Sequence, residues 1–310
     1  MAHDEVRHDY HLVNPSPWPL IGTISLFVLA VGAVIFMKGL SGATVPEGEA
    51  PGLLDQGSYW VMLVGFGMVI YTMAGWWREV VKESNGGDHT PVVQIGLRYG
   101  MILFIVSEIM FFVAWFWSFF EVTIFHSARA GGTYDAISEI WGPYLSQYVN
   151  WPPEKIEGGQ VKLFDPFHLP LMNTLILLLS GTTVTASHHA LQHGNRAQAK
   201  NWLLITILLG MCFTGLQAFE YYEAYAGGKF TFSSNAWSNA FFMATGFHGA
   251  HVIIGTIFLM VCYLRLQGGG MSEEKHLGFE FAAWYWHFVD VVWLFLFAFV
   301  YVTPYLVLGT

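Results

Sequence analysis

The sequence predicts an all-α, polytopic membrane protein with seven transmembrane helices. Three observations carry that prediction. The 310 residues are 54% hydrophobic and only 11% charged, against about 25% charged in a soluble domain. The hydrophobic residues gather in continuous runs of about 20, the length a helix needs to cross a bilayer, rather than in an alternating pattern, so helices are the expected spanning structure. The 13 Trp, 14 Tyr and 26 Phe suit a protein with aromatic belts at the membrane interfaces.

The whole chain, 1–310, reads as a single membrane domain. Residues 1–16 form a polar tail, MAHDEVRHDY onward, without the charged-then-apolar pattern of a cleavable signal. The first span, near 17–38, opens with NPSPWPL, where Ser16 is the expected N-cap, Pro17 the first helical residue and Trp18 an interfacial anchor. The second, near 57–83, ends in WWREVVKES. The third, near 92–126, contains LRYGMILFIVSEIMFFVAWFWSFF with Glu108 at its middle. The fourth, near 168–193, closes on SHHALQH. The fifth, near 198–224, closes on LQAFEYYEA. The sixth, near 236–266, contains FHGAH, and the seventh, near 274–307, contains WYWHFVDVVW. One connection is long: 128–165 holds GGTYD, WGPY, NWPPE and EGG and reads as an outer loop insertion. No internal repeat of the transporter kind stands out.

Seven spans place the termini on opposite sides. One side collects Arg7, Arg78, Lys82, Arg98, Arg196, Lys200, Arg265 and Lys275, and the other Lys38, Arg129, Lys155, Lys162 and Lys229. Three of the latter lie in the long connection, where charge counts less, so the N-terminus is expected inside. The net charge of −9 says little about partners, and the lack of a basic stripe argues against nucleic acid. Cys212 and Cys262 fall inside apolar runs and read as free buried thiols.

Ionisable residues inside spans are functional candidates by default. Glu108 has only Phe104, Ile105, Phe111 and Phe112 at helical spacing, so it must find a partner on another helix, meet water or a headgroup, or keep a proton. His248 and His251 share one face, as do His287 and Asp290, and Glu220 and Glu223 lie with Gln217 near the end of the fifth span. Such groups also act as interhelical glue, and these are expected to form a buried polar network. A metal centre is disfavoured, since His188, His189 and His193 lie at a span end while His248, His251 and His287 lie deep. Two rivals stay open at this point: a His-rich membrane di-iron oxygenase, and a proton-conducting protein built around Glu108. Basic and aromatic groups at the inner ends suit either a simple topological belt or a phospholipid headgroup site.

The motifs YHLVNPSPWPL (Tyr10–Leu20), WWREVVKES (Trp76–Ser84), HTPVVQIGLRYGMILFIVSEIMFF (His89–Phe112), SHHAL (Ser187–Leu191), LQAFEYYEA (Leu216–Ala224), ATGFHGAHVIIGTIFL (Ala244–Leu259) and FEFAAWYWHFVDVVWLFLF (Phe279–Phe297) occur in this order. Together they resemble the cytochrome c oxidase subunit III family, bacterial aa3-type form, across nearly the whole chain. The segments 39–56 and 128–164 depart from the compact mitochondrial form.

That resemblance implies a core subunit of the terminal oxidase of aerobic respiration, which reduces oxygen to water and pumps protons. It implies no haem or copper in this chain, both being held by partner subunits. It implies direct packing on subunit I, with subunit II and a small subunit IV as further partners. A two-helix and a five-helix bundle would flank a lipid-filled V-shaped cleft, with phospholipids held by Trp76, Trp77, Arg78, Glu83, His89, Arg98 and Arg265. Glu108 matches the family's intramembrane glutamate. Support of proton uptake and oxygen access is implied as well, and His3, His8 and His11 become candidates for a proton-collecting antenna. The departures favour a bacterial cytoplasmic membrane, with the N-terminus cytoplasmic and the C-terminus periplasmic.

Overall fold

In hydrocarbon each backbone N–H and C=O needs a partner within the protein, so long apolar runs become long helices. The computed structural model describes residues 9–10, 14–40, 58–125, 163–232 and 236–308. The helices are α1 (Trp18–Leu40), α2 (Trp60–Gly86), α3 (Pro91–Thr123), α4 (Leu169–Gln192), α5 (Arg196–Ala226), α6 (Ala236–Gln267) and α7 (Leu277–Leu296). A π-helical turn (Phe297–Val302) and a short α8 (Thr303–Leu308) continue α7. Among the described residues seven stretches are long and apolar enough to cross a membrane, the last running from Leu277 to Leu306. No strand occurs among the described residues.

The ends differ from the expected ones by local chemistry. α2 runs on to Gly86 because Gly87 takes the left-handed conformation, φ 94°, that ends a helix, and the Asp88 N–H returns to Glu83 O at 3.1 Å. α5 starts at Arg196, since the Asn195 side chain accepts from Gln198 N and caps it. Ser16 is less a cap than expected. Its oxygen stands 3.5 Å from Trp18 N, while its hydroxyl donates to Glu79 Oε2 at 3.1 Å.

The chain divides into two units, residues 1–97 and 98–310. In the first, α1 and α2 pack by close backbone approach. A Cβ on Gly32 would overlap the backbone of Val61 and Met62, and one on Gly65 that of Val28 and Leu29. Small residues bring membrane helices together this way, because apolar side chains gain nothing by leaving lipid. The buried hydroxyls of Ser25 and Thr72 meet at 3.2 Å. Trp18, expected at the interface, lays its half-buried ring across Gly75 and edge-on to Tyr71, 5.8 Å between centroids.

The second unit is built around indoles. The turn after α4 is short and uses Gly194, φ 74°, so α4 and α5 lie antiparallel. Thr183 and Thr206 hydroxyls join them at 2.8 Å, and Ser187 Oγ donates to Ala199 O at 2.7 Å. From α7, Trp286 Nε1 donates to Ser180 Oγ and Trp293 Nε1 to Thr174 Oγ1, both at 2.9 Å. Gly210 and Gly255 leave room for the Trp286 ring. Arg196 ties the connection after α6, donating to Leu266 O at 2.7 Å and to Met271 O.

The glycines make a paired test. Gly65→Ala forces a methyl into the α1 backbone and is expected to cost about 1–3 kcal/mol, in the range of overpacking. Gly67→Ala, two residues on, points into open space and is expected to be neutral or stabilising by up to ~1 kcal/mol. Thermal midpoints of the detergent-purified variants measure the difference.

Candidate functional site: polar groups within the spans

Glu108 has a partner on another helix. Its Oε2 lies 2.9 Å from His251 Nε2, with both side chains mostly buried. The other ring nitrogen, Nδ1, lies 2.6 Å from Phe247 O. A carbonyl only accepts, so Nδ1 carries a proton. A neutral His251 then offers a lone pair at Nε2, and the carboxyl must hold the proton between them. A charged His251 donates from Nε2 to a carboxylate. In either form one proton is shared and the pair is neutral as a whole, which removes the cost of a lone charge in the bilayer. Phe111, Phe112 and Phe288 surround the imidazole, with Phe112 nearest at 4.9 Å between centroids.

His248, one turn earlier, points elsewhere. It is fully buried, and Nε2 donates to Val289 O at 3.0 Å. Its Nδ1 is enclosed without a partner. Trp293 and Phe213 pack on the ring at 5.1 and 5.7 Å. The two histidines share a helix face but join different neighbours: His251 joins α3, and His248 joins α7.

On α7, His287 and Asp290 both stand against Gly181 of α4. Thr185 Oγ1 donates to Gly181 O at 3.0 Å, so it accepts from His287 Nε2 at 3.1 Å. Asp290 is buried, and its Oδ1 meets no donor. Near the far end of α5, Glu220 is fully buried and accepts the Tyr301 hydroxyl at 2.6 Å, with Gln217 Nε2 3.5 Å from the same oxygen of Tyr301. The π-helical turn holds Tyr301 in that position. Glu223 does not belong to the buried network. Its side chain is 43% exposed and pairs with Lys229 at 3.5 Å, because it lies within one turn of the helix end.

The residues expected to hold lipid are placed as follows. Trp76, Trp77, Arg78 and Glu83 lie on α2 and His89 in the turn after it, with both tryptophans exposed. In the second unit Arg98 is already engaged. Its Nε and Nη2 donate to the two oxygens of Glu280 at 3.0 and 2.9 Å, a bidentate pair. Arg265 lies against Gly278, with Nη1 3.1 Å from where a Cβ would stand. His188 and His276 meet ring to ring at 5.2 Å, and His189 and His193 at 4.2 Å. Among the described residues no three His, Cys, Asp or Glu side chains converge as metal ligands would. His3, His8 and His11 lie outside the described residues, as does most of the 128–165 insertion.

Glu280, Tyr301, Thr185 and Gly181 were not anticipated. Arg98 was the available signal for Glu280: a guanidinium inside a span demands an acid at the same depth. Nothing in an aromatic run distinguished Tyr301 from its neighbours.

The fold and these groups define a class: a seven-span helical membrane protein whose buried ionisable side chains bond to one another and to the backbone. The family model for cytochrome c oxidase subunit III matches residues 8–305. Cytochrome c oxidase subunit 3 of Arabidopsis thaliana is 46% identical over 296 residues, covering 95% of this chain and 96% of that protein. The subunit 3 of Squalus acanthias is 43% identical over 302 residues, 97% of this chain and 98% of its own. A probable subunit 3 of Rickettsia felis is 45% identical over 298 residues, 95% of each. The chain belongs to the cytochrome c oxidase subunit III family.

One double-mutant cycle and one single substitution probe the network. Glu108→Leu and His251→Leu are each expected to destabilise, and the double variant to destabilise by less than the sum of the two, with a coupling of about 0.5–3 kcal/mol. Tyr301→Phe leaves Glu220 Oε1 without its donor and is expected to cost about 1–3 kcal/mol. Thermal unfolding of the purified variants, followed by circular dichroism, reads both.

Proposed function

We propose that this chain serves as the non-redox subunit III of an aerobic cytochrome c oxidase, within a complex that reduces oxygen to water and pumps protons. The near full-length match to subunit III relatives carries the reading. In that complex the chain packs directly on subunit I, beside subunit II and a small subunit IV, and the haem and copper belong to its partners. It stabilises subunit I, binds phospholipids and supports proton uptake and oxygen access.

The exposed Trp76 and Trp77 beside Arg78 support lipid contact in the first unit, as indole and guanidinium together suit an interfacial headgroup. In the second unit the half-exposed Arg265 is the stronger lipid candidate, since Glu280 occupies Arg98. The membrane is the cytoplasmic membrane of a bacterium. The Lys and Arg excess beside Arg78, Lys82, Arg196 and Lys200 supports an inward N-terminus, and the Rickettsia relative supports the bacterial setting.

Purification by a tag on this chain is the direct test. Haem absorbance and copper are expected to co-purify, and to be lost when the chain is separated from its partners. Stoichiometric metal retained by the separated chain would overturn the reading. Histidine is the side chain suited to collecting protons near physiological pH, and His3, His8 and His11 are the proposed antenna. Their triple replacement by Ala is expected to slow turnover most above neutral pH, and a pH profile equal to wild type in the assembled complex rules out the antenna.

A further inference from the structure

α4 and α7 pack on each other, and one flank of the pair is open. Leu178, Thr182 and Thr185 are exposed on α4, and Val291 and Leu294 on α7. Asp290 sits between these two rows. It lies near the middle of the Leu277–Leu306 span and faces Gly181, near the middle of the Leu169–Gln192 span. Headgroups and bulk water do not reach that depth.

Asp290 is only 8% exposed. Its Oδ1 is enclosed with no donor. Its Oδ2 lies over Gly181, 2.7 Å from where a Cβ would stand. His287 borders the same glycine, but its Nε2 proton goes to Thr185 Oγ1. Neither carboxyl oxygen meets a donor among the described residues. The contrast within the same unit is sharp. Glu108 has His251, Glu220 has Tyr301 and Glu280 has Arg98.

A carboxyl at mid-membrane is costly unless it pairs or keeps a proton, and even a protonated carboxyl keeps an oxygen that accepts. Here the chain leaves it a recess beside a glycine, bordered by threonines and aliphatic side chains. That is the surface on which a second helix approaches closely and forms a hydrogen bond. We propose that this flank of α4 and α7 docks a transmembrane helix of another oxidase subunit, which brings a hydrogen-bond donor to Asp290 Oδ2. The proposal rests on the oxidase reading above. The missing donor defines the partner's chemistry: an apolar helix with one hydroxyl, indole, amide or cationic side chain at mid-span.

A benzophenone side chain introduced at Thr182 tests the surface in the assembled oxidase. On irradiation, the expected product is a covalent adduct between this chain and a second, different oxidase subunit. An adduct with lipid alone, or with another copy of this chain, overturns the proposal. A second measurement compares Asp290→Leu with Asp290→Asn at equal amounts of membrane-inserted chain. The leucine variant is expected to leave the complex several-fold more readily under detergent challenge. The asparagine variant, whose carbonyl still accepts, is expected to stay. Equal retention of the leucine variant and wild type overturns the docking role. Haem co-purifying with the unaltered chain is read separately. Its absence defeats the oxidase reading, whereas haem together with a lipid-only adduct defeats the docking surface alone.

Discussion

Inside a bilayer no solvent competes for hydrogen bonds, so each polar atom must be answered by the protein itself. This constraint organises the helices from the smallest groups upward. Thr and Ser hydroxyls within spans bond back to carbonyls of their own helix, as Thr206 does to Trp202 O at 2.9 Å and Thr256 to Val252 O at 2.8 Å. Several then use the same oxygen to accept from a neighbour. Ser180 donates to Leu177 O at 2.6 Å and accepts from Trp286, and Thr174 donates to Pro170 O at 2.8 Å and accepts from Trp293. The indole N–H, which can only donate, therefore selects where α7 rests on α4. Two large buried side chains are positioned by two hydroxyls less than two turns apart on α4.

The two units answer the constraint differently. In the first, Gly32 and Gly65 remove side chains altogether so that backbones touch, and one hydroxyl pair, Ser25 with Thr72, supplies the polar contact. In the second, volume comes from aromatic rings, and glycines serve as sockets for them: Gly210 and Gly255 for Trp286, Gly181 for Asp290. Interhelical hydrogen bonds in membranes average only about 0.6 kcal/mol. Their weight here lies less in stability than in register. A helix rotated by one residue would leave Trp286 or Trp293 without an acceptor and would press a Cβ into a ring.

The seven spans were legible in the sequence because apolar length is a one-dimensional property, and the bilayer converts it directly into helices. Pairing was not legible, since it depends on depth and facing across helices. Glu108 shows both sides of this. Its own helix offers no partner, which left another helix, water or a headgroup, or a kept proton, and nothing in the spacing chose His251 over His248. The choice depends on which way each imidazole turns from α6. Glu223 was misplaced for a related reason. Its spacing from Glu220 puts both on one face, but one turn of rise carries it from the buried interior to the mouth of the helix beside Lys229. Arg98 was expected to hold lipid; its place in a span called for an acid, but the spacing along α3 could not choose Glu280, 182 residues away in sequence.

The carboxyls also differ in what completes them, and the difference bears on assembly. Glu108 and His251 form a pair that is neutral in either proton arrangement, so the chain can fold around it in lipid without help. Glu280 is neutralised by Arg98 through two parallel hydrogen bonds. Glu220 accepts a short bond from a tyrosine held by a π-helical turn. Each of these three is joined to a residue from a different helix, Glu220 through Oε1 alone since its Oε2 is enclosed without a partner, and so they fasten α3 to α6, α3 to α7 and α5 to the end of α7. Asp290 fastens nothing in this chain. A group that is costly to bury and contributes no internal contact is explained by what it meets in the complex, and its position on an open flank beside Gly181 gives that meeting a place.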